Sequence, residues 1–155
     1  MHAGFTLVEL MVVVVIIGII AGVISRTGGQ TSQQSLEMAD IQVTDAIGRA
    51  QALARSNREA FGVVFDLATD RFAIVDESGA LVVDPLTRRD YVVQFGVPNQ
   101  PALIDVKTAD FGATGTAIVF DPQGVPIAGG TVSLGHGSTT RTISVDAATG
   151  RVTTL

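Results

Sequence analysis

Glu9 is the one carboxylate in an otherwise apolar run of 20 residues, Phe5 to Ile24. An unpaired charge at bilayer depth costs on the order of 2–3 kcal/mol, and less near the headgroups. A group carried at that cost implies a partner. No Lys or Arg lies within helical reach of Glu9, because the only other charge in the first 26 residues is Arg26. The nearest cation would be a terminal amine created at Phe5, four residues earlier. That amine could meet Glu9 in its own chain or in a neighbouring copy. The alternative is that Glu9 snorkels to the headgroups.

Other residues with chemistry to offer are sparse. His2 stands at the very start, and His136 sits in the turn-like stretch Gly135-His136-Gly137-Ser138. The chain has no Cys, so it forms neither disulfides nor thiolate metal sites. There is no G-x-S-x-G elbow, P-loop or H-E-x-x-H pattern, and Gly112-Ala113-Thr114-Gly115 lacks the Lys a phosphate loop needs. No catalytic residue, metal site or cofactor is expected, and the chain does not read as an enzyme. Arg88 and Arg89 are flanked by Asp84 and Asp90, which leaves Arg141 and Arg151 as the candidate nucleic-acid contacts. Phosphate binding needs a clustered positive field. The net charge of −5 is carried wholly beyond residue 26, since Glu9 and Arg26 cancel. A solvated strand face is therefore the better reading of these arginines, and nucleic acid is disfavoured as a partner.

The apolar run must be a helix, and 20 residues of helix span about 30 Å, the hydrocarbon thickness of a bilayer. A buried core helix would be amphipathic, whereas this run is apolar on every face. A membrane-spanning helix is thus expected over 5–25. It does not read as a cleaved signal peptide: only four residues precede it, they hold no basic group beyond the α-amino group and His2, and the run is long for an h-region. Gly18 and Gly22, in GIIAG, give a small-xxx-small spacing that allows close helix approach. Ordinary membrane-helix glycine is an equal reading of the pair.

Residues 26–34 are polar and glycine-bearing, as a hinge or linker would be. Over 35–57 the pattern is an amphipathic helix, with Leu36, Ala39, Val43, Ala46, Ala50 and Leu53 at alternating three- and four-residue steps and Ile47 widening the stripe. From residue 58 to 155 the grammar changes to short β-rich runs: AFGVVFD, RFAIVD, LVVD, YVVQF, TAIVF, TVSL, TISVD and RVTTL. Several runs end in Asp followed by turn residues, which marks Asp66, Asp76, Asp121 and Asp146 as turn formers rather than ligands. The stretch GVPNQPALIDVKTADFGATG, residues 96–115, is the least regular and reads as a loop. The predicted fold class is α+β, a long N-terminal helix with about eight antiparallel strands behind it.

The stretch Gly4-Phe5-Thr6-Leu7-Val8-Glu9-Leu10 and the Val/Ile run after it resemble the cleavage motif of type IV pilins and type II secretion pseudopilins. The motif is short and specific. The resemblance implies a four-residue prepilin leader, residues 1–4, cut after Gly4 by a prepilin peptidase that methylates the new terminus at Phe5. It implies that Glu9 neutralises the terminal amine of an adjacent subunit as helices bundle into a filament. The leader departs from the family pattern in having no Lys or Arg. The stretches DAIGRAQALARSNREAFGVVFD and RTISVDAATGRVTTL are similar to the H-type minor pseudopilins and FimT-like pilins, the GspH/FimT family. That similarity implies a head of two small sheets packed on the helix. It implies a structural subunit, anchored once in the inner membrane with its head in the periplasm, assembling with other pilins or pseudopilins into a secretion pseudopilus or a type IV pilus. Two other readings stay open at this point: a DNA-binding FimT-like minor pilin, and a single-pass membrane protein that does not polymerise.

Overall fold

The computed structural model describes residues 7–24, 28–98, 100–101 and 103–155. The chain divides into two compact units, Met1–Gln33 and Gln34–Leu155. In the first unit, helix α1 spans Leu7–Ile24, mostly Val, Ile and Leu. Its 18 residues rise about 27 Å. The side chain of Glu9 and those from Gly18 onward in α1 lie outside the described residues, and over the residues that are described no helix is long and apolar enough to cross a membrane.

Helix α2 spans Gly28–Asn57. It starts seven residues before the amphipathic helix expected from Ser35, so residues 28–34, read as a hinge or linker, are helical from Gly28 on. The glycine pair falls at the helix start, and Gln30, Gln33 and Gln34 are sound helix formers. Residues 25–27 lie outside the description. In the second unit the expected stripe is buried at Leu36, Ala39, Val43, Ala46, Ile47 and Ala50, joined by Ala54, while Leu53 is only half-buried against the core. Four of these are alanines, and a short side chain lets a helix lie close on a sheet.

The head has eight strands in two four-stranded antiparallel sheets. The first sheet runs β3-β2-β1-β5 and contains β1 (Phe61–Asp66), β2 (Arg71–Asp76), β3 (Val92–Gln94) and β5 (Ala117–Phe120). The second runs β4-β6-β7-β8 and contains β4 (Asp105–Asp110), β6 (Gly130–His136), β7 (Thr139–Val145) and β8 (Val152–Thr154). The register sets Val63 opposite Ile74 in the first sheet and Val132 opposite Ile143 in the second. Alternation then sends Phe61, Val63 and Phe65 inward from β1 and Val132 and Leu134 inward from β6. A single core results, shared by α2 and both sheets. Within it four phenylalanines form a chain of contacts, Phe111–Phe65–Phe72–Phe95, with ring centroids 5.8 to 5.9 Å apart.

Two strand readings need correction. LVVD is not a strand but an arm touching its neighbours through single bridges, Val75 to Leu81 and Val83 to Asp90. Its apolar residues Leu81 and Val83 are exposed, so they lack the buried face that pins a strand register. Conversely, the 96–115 stretch contains β4 and a short 3-10 turn, Gly112–Thr114. Its strand was hidden because only Val106 of DVKTAD is fully buried, and a bulge at Lys107 breaks the alternation.

The turns follow side-chain chemistry. Asp66, Asp76, Asp121 and Asp146 each accept the backbone N–H two residues ahead, at 2.9 to 3.1 Å. In Asp121-Pro122-Gln123-Gly124, the Gly124 N–H closes the turn onto the Asp121 carbonyl at 2.8 Å, and its φ of +76° is one that glycine adopts without strain. Gly130 answers a different need: a Cβ there would run into the Asp110 carbonyl oxygen of the neighbouring strand.

Candidate functional site

The residues expected to carry processing and assembly cluster at the N-terminus. Gly4 and Phe5 lie outside the described residues. Glu9 is the third residue of α1. Gly18 and Gly22 are both in α1 and, four residues apart, share a face of it.

The arginines singled out from the sequence have different settings. On β7, Arg141 places Nη1 3.6 Å from Oδ2 of Asp40, whose side chain is only 13% exposed. Asp40 also accepts the Thr154 hydroxyl at 3.1 Å on both carboxylate oxygens. This one carboxylate therefore ties the last two strands to α2. Arg151 stands just before β8, exposed, its N–H donating to the Thr149 hydroxyl. Arg141 thus has an acidic partner within the fold, whereas Arg151 stands exposed beside its turn. Among the described residues no group of three or more His, Cys, Asp or Glu is arranged to hold a metal ion.

Sequence reasoning missed a side-chain cluster where α2 meets the 81–91 arm. Arg49 Nε donates to Asp45 Oδ2 at 2.8 Å, one turn away on the helix. Its guanidinium also lies 5.4 Å from the centroid of the Tyr91 ring. The Tyr91 hydroxyl donates to the same Asp45 oxygen at 3.3 Å. Burial, and then the Asp45 charge, push the Tyr91 phenol above its ordinary value, while the bond to Asp45 holds Arg49 more firmly protonated. Across the cluster Asp84 accepts the Leu86 N–H at 2.9 Å and the Thr87 hydroxyl at 3.1 Å. Those bonds, the Leu86 N–H foremost, hold the Asp84 carboxyl below the usual carboxylate range. The only signal available in the sequence was the i, i+4 spacing of Asp45 and Arg49, which is common on solvated helices.

These features define a class: an N-terminal apolar helix headed by an acid-bearing motif, followed by an amphipathic helix seated on two small antiparallel sheets, which is the pilin-like arrangement. Residues 1–25 match the family described as the prokaryotic N-terminal methylation motif. The fold matches the crystal structure of the type IV minor pilin FimU from Pseudomonas aeruginosa (strain PAO1), with a TM-score of 0.55 at 19% sequence identity, over 78% of this chain and 88% of that one. Among curated proteins none matches the chain. The chain carries the prepilin-type methylation motif on a pilin-like fold.

Proposed function

We propose that this protein is a minor pseudopilin or minor pilin, a structural subunit of a type II secretion pseudopilus or a type IV pilus. The observation that carries the reading is the joining, in one chain, of the methylation motif over residues 1–25 to a pilin-like two-sheet head. The subunit is anchored once in the inner membrane by the run 5–25, with the head in the periplasm. The argument for the anchor is the sequence of that run, 20 residues with one carboxylate. A prepilin peptidase cuts after Gly4 and methylates Phe5. Packing of the apolar helices, with Gly18 and Gly22 allowing close approach, supplies most of the association energy in the filament. Glu9 sets the register by meeting the Phe5 amine of a neighbour. No cofactor takes part.

Mass spectrometry of the protein extracted from membranes tests this. The expected species has lost Met1 to Gly4 and carries a methyl group on the Phe5 amine. An intact N-terminus on the membrane-extracted protein overturns the reading.

A further inference from the structure

The two sheets differ in what they turn away from the core. On the second, Thr131, Ser133, Thr142 and Ser144 alternate with the buried Val132 and Ile143. That is the pattern of a sheet with one face in water. The first sheet is apolar on both faces. Behind the buried Val63 and Ile74, one outward row crosses it through Leu81, Val75, Gly62, Val119 and Ile127. The next row is Val92, Ala73, Val64 and Ala117. A sheet with apolar residues on both faces is one that is covered on both, and the core covers only one here. We propose that a second copy of this chain covers the other, the two heads packing outer face to outer face about a two-fold axis that runs along β1.

Three observations single out that occupant. The first is shape. At one margin of the face Ile127 is 59% exposed, held there by its N–H bond to the Val119 carbonyl at 2.8 Å. Toward the opposite margin a groove of about 270 Å³ opens between Leu81 and Val92, with Val64, Ala73 and Val75 along it. Rotation about an axis along β1 exchanges the two margins. Ile127 of each copy then lies over the groove of the other, and the contact closes on itself. The second is charge. The chain is acidic, but the two apolar rows carry no charge, and Asp66 and Arg71 at one end of them are bonded to each other at 3.1 Å. At the other end Asp76 and Asp121 are turned onto backbone N–H groups, which leaves exposed Glu77 as a rim charge. This face therefore meets its own copy with little of the repulsion the rest of the surface would bring. The third is area. Two rows of this width present on the order of 500 Å² per copy. A face-to-face pair then buries about 1,000 Å² in total, the lower bound for a specific interface, so the pair is weak and forms where copies are concentrated by tethering. The contact lies wholly in the head and does not depend on the assembly reading.

The chain has no Cys, so a single introduced thiol reports on one position. Facing sheets lie about 10 Å apart, and Val64 of β1 sits on the axis opposite its own copy. In the full-length protein in detergent, with micelles in excess over chains, a short bis-maleimide should join Val64→Cys into a dimer. Thr153→Cys, exposed on the second sheet, should stay monomeric. Adding Ile127→Asp to Val64→Cys should cut the dimer yield about tenfold, because it sets a carboxylate in the partner's apolar groove. Leu81→Asp, on the groove side, should do the same. Added salt should raise the yield by screening the repulsion between acidic heads. The variants should keep the far-ultraviolet circular dichroism and melting temperature of the parent, which separates a lost contact from a lost fold. A yield at Val64→Cys no higher than at Thr153→Cys overturns the proposal, as does a yield that falls with salt. A dimer that both Ile127→Asp and Leu81→Asp leave unchanged also overturns it and assigns the association to contacts elsewhere, such as between α1 helices. So does cross-linking of Val64→Cys in intact membranes mainly to a different protein, which would give the face to another occupant.

Discussion

At Glu9 two costs compete. Leaving the carboxylate in an apolar segment is unfavourable by a few kcal/mol, and pairing it with a neighbour's amine recovers part of that only inside an assembly. The proposed pairing predicts that Glu9→Ala still inserts and is still cut, since the apolar run becomes more apolar, but enters filaments poorly. Quantifying the variant in sheared filaments against membranes checks this, and normal incorporation rules the pairing out. A second group of carboxylates acts in the head. Hydrogen bonds to the ionised form hold four of them below the usual carboxylate range: chiefly the Thr69 hydroxyl for Asp66, the Ser78 hydroxyl for Asp76, the Leu86 N–H for Asp84 and the Thr149 hydroxyl for Asp146. A depressed folded pKa means that the unfolded chain binds protons more readily. The stability these groups contribute is therefore complete well above the unfolded value of about 3.9 and is lost as the pH falls through the lower folded values. Melting temperature should be flat from neutral pH down to about pH 5 and should drop steeply below about pH 4. Replacing Asp76 and Asp146 together with Asn should flatten that acid limb, and an unchanged limb would rule out these two turns as its source.

At the scale of elements, α2 is held by shortness. Ala46 is fully buried in the core that α2 shares with both sheets, so Ala46→Leu overpacks it and should cost about 1–3 kcal/mol in chemical denaturation. The same change at exposed Ala52 should be nearly neutral, and equal costs at both positions would contradict the burial pattern. Asp70 pins one sheet to the other. It closes the turn between β1 and β2 with φ of +49°, and its Oδ1 accepts the Val106 N–H of β4 at 2.8 Å. Asn tolerates that backbone conformation and keeps an acceptor oxygen, so Asp70→Asn should be mild. Asp70→Ala loses the acceptor and is strained at positive φ, and should cost about 1–3 kcal/mol. A denaturant series on both variants checks the order, and Asn costing as much as Ala would remove the pin from the account.

For the head as a whole, the shared core has a consequence for cooperativity. Both sheets contribute to the same buried cluster and neither has a core of its own. Local damage in one sheet should therefore loosen the other. Gly130→Ala, which drives a methyl group into the Asp110 carbonyl in the second sheet, should lower amide-exchange protection at Val63 and Ile74 of the first sheet about as much as at Val132. Protection lost from the second sheet alone would show two separately folding layers.

The N-terminal motif was legible in the sequence because it is local: a carboxylate in an apolar run and a glycine before Phe5 are read off adjacent positions. The stripe on α2 and most strands were legible for the same reason, since periods of 3.6 and 2 report burial directly. Elements with weak periodicity were not. The arm at 81–84 carries apolar residues that face solvent, and β4 at 105–110 carries polar ones on a sheet edge, so composition misled in opposite directions. The sequence alone also could not assign Asp40 to Arg141 and Thr154, or bring Arg49 to Asp84 and Tyr91, because the two α2 residues are separated from those partners by 35 to 114 residues. Which distant side chains meet depends on which strand lies beside which helix. Sheet order decides that, and no local pattern encodes it.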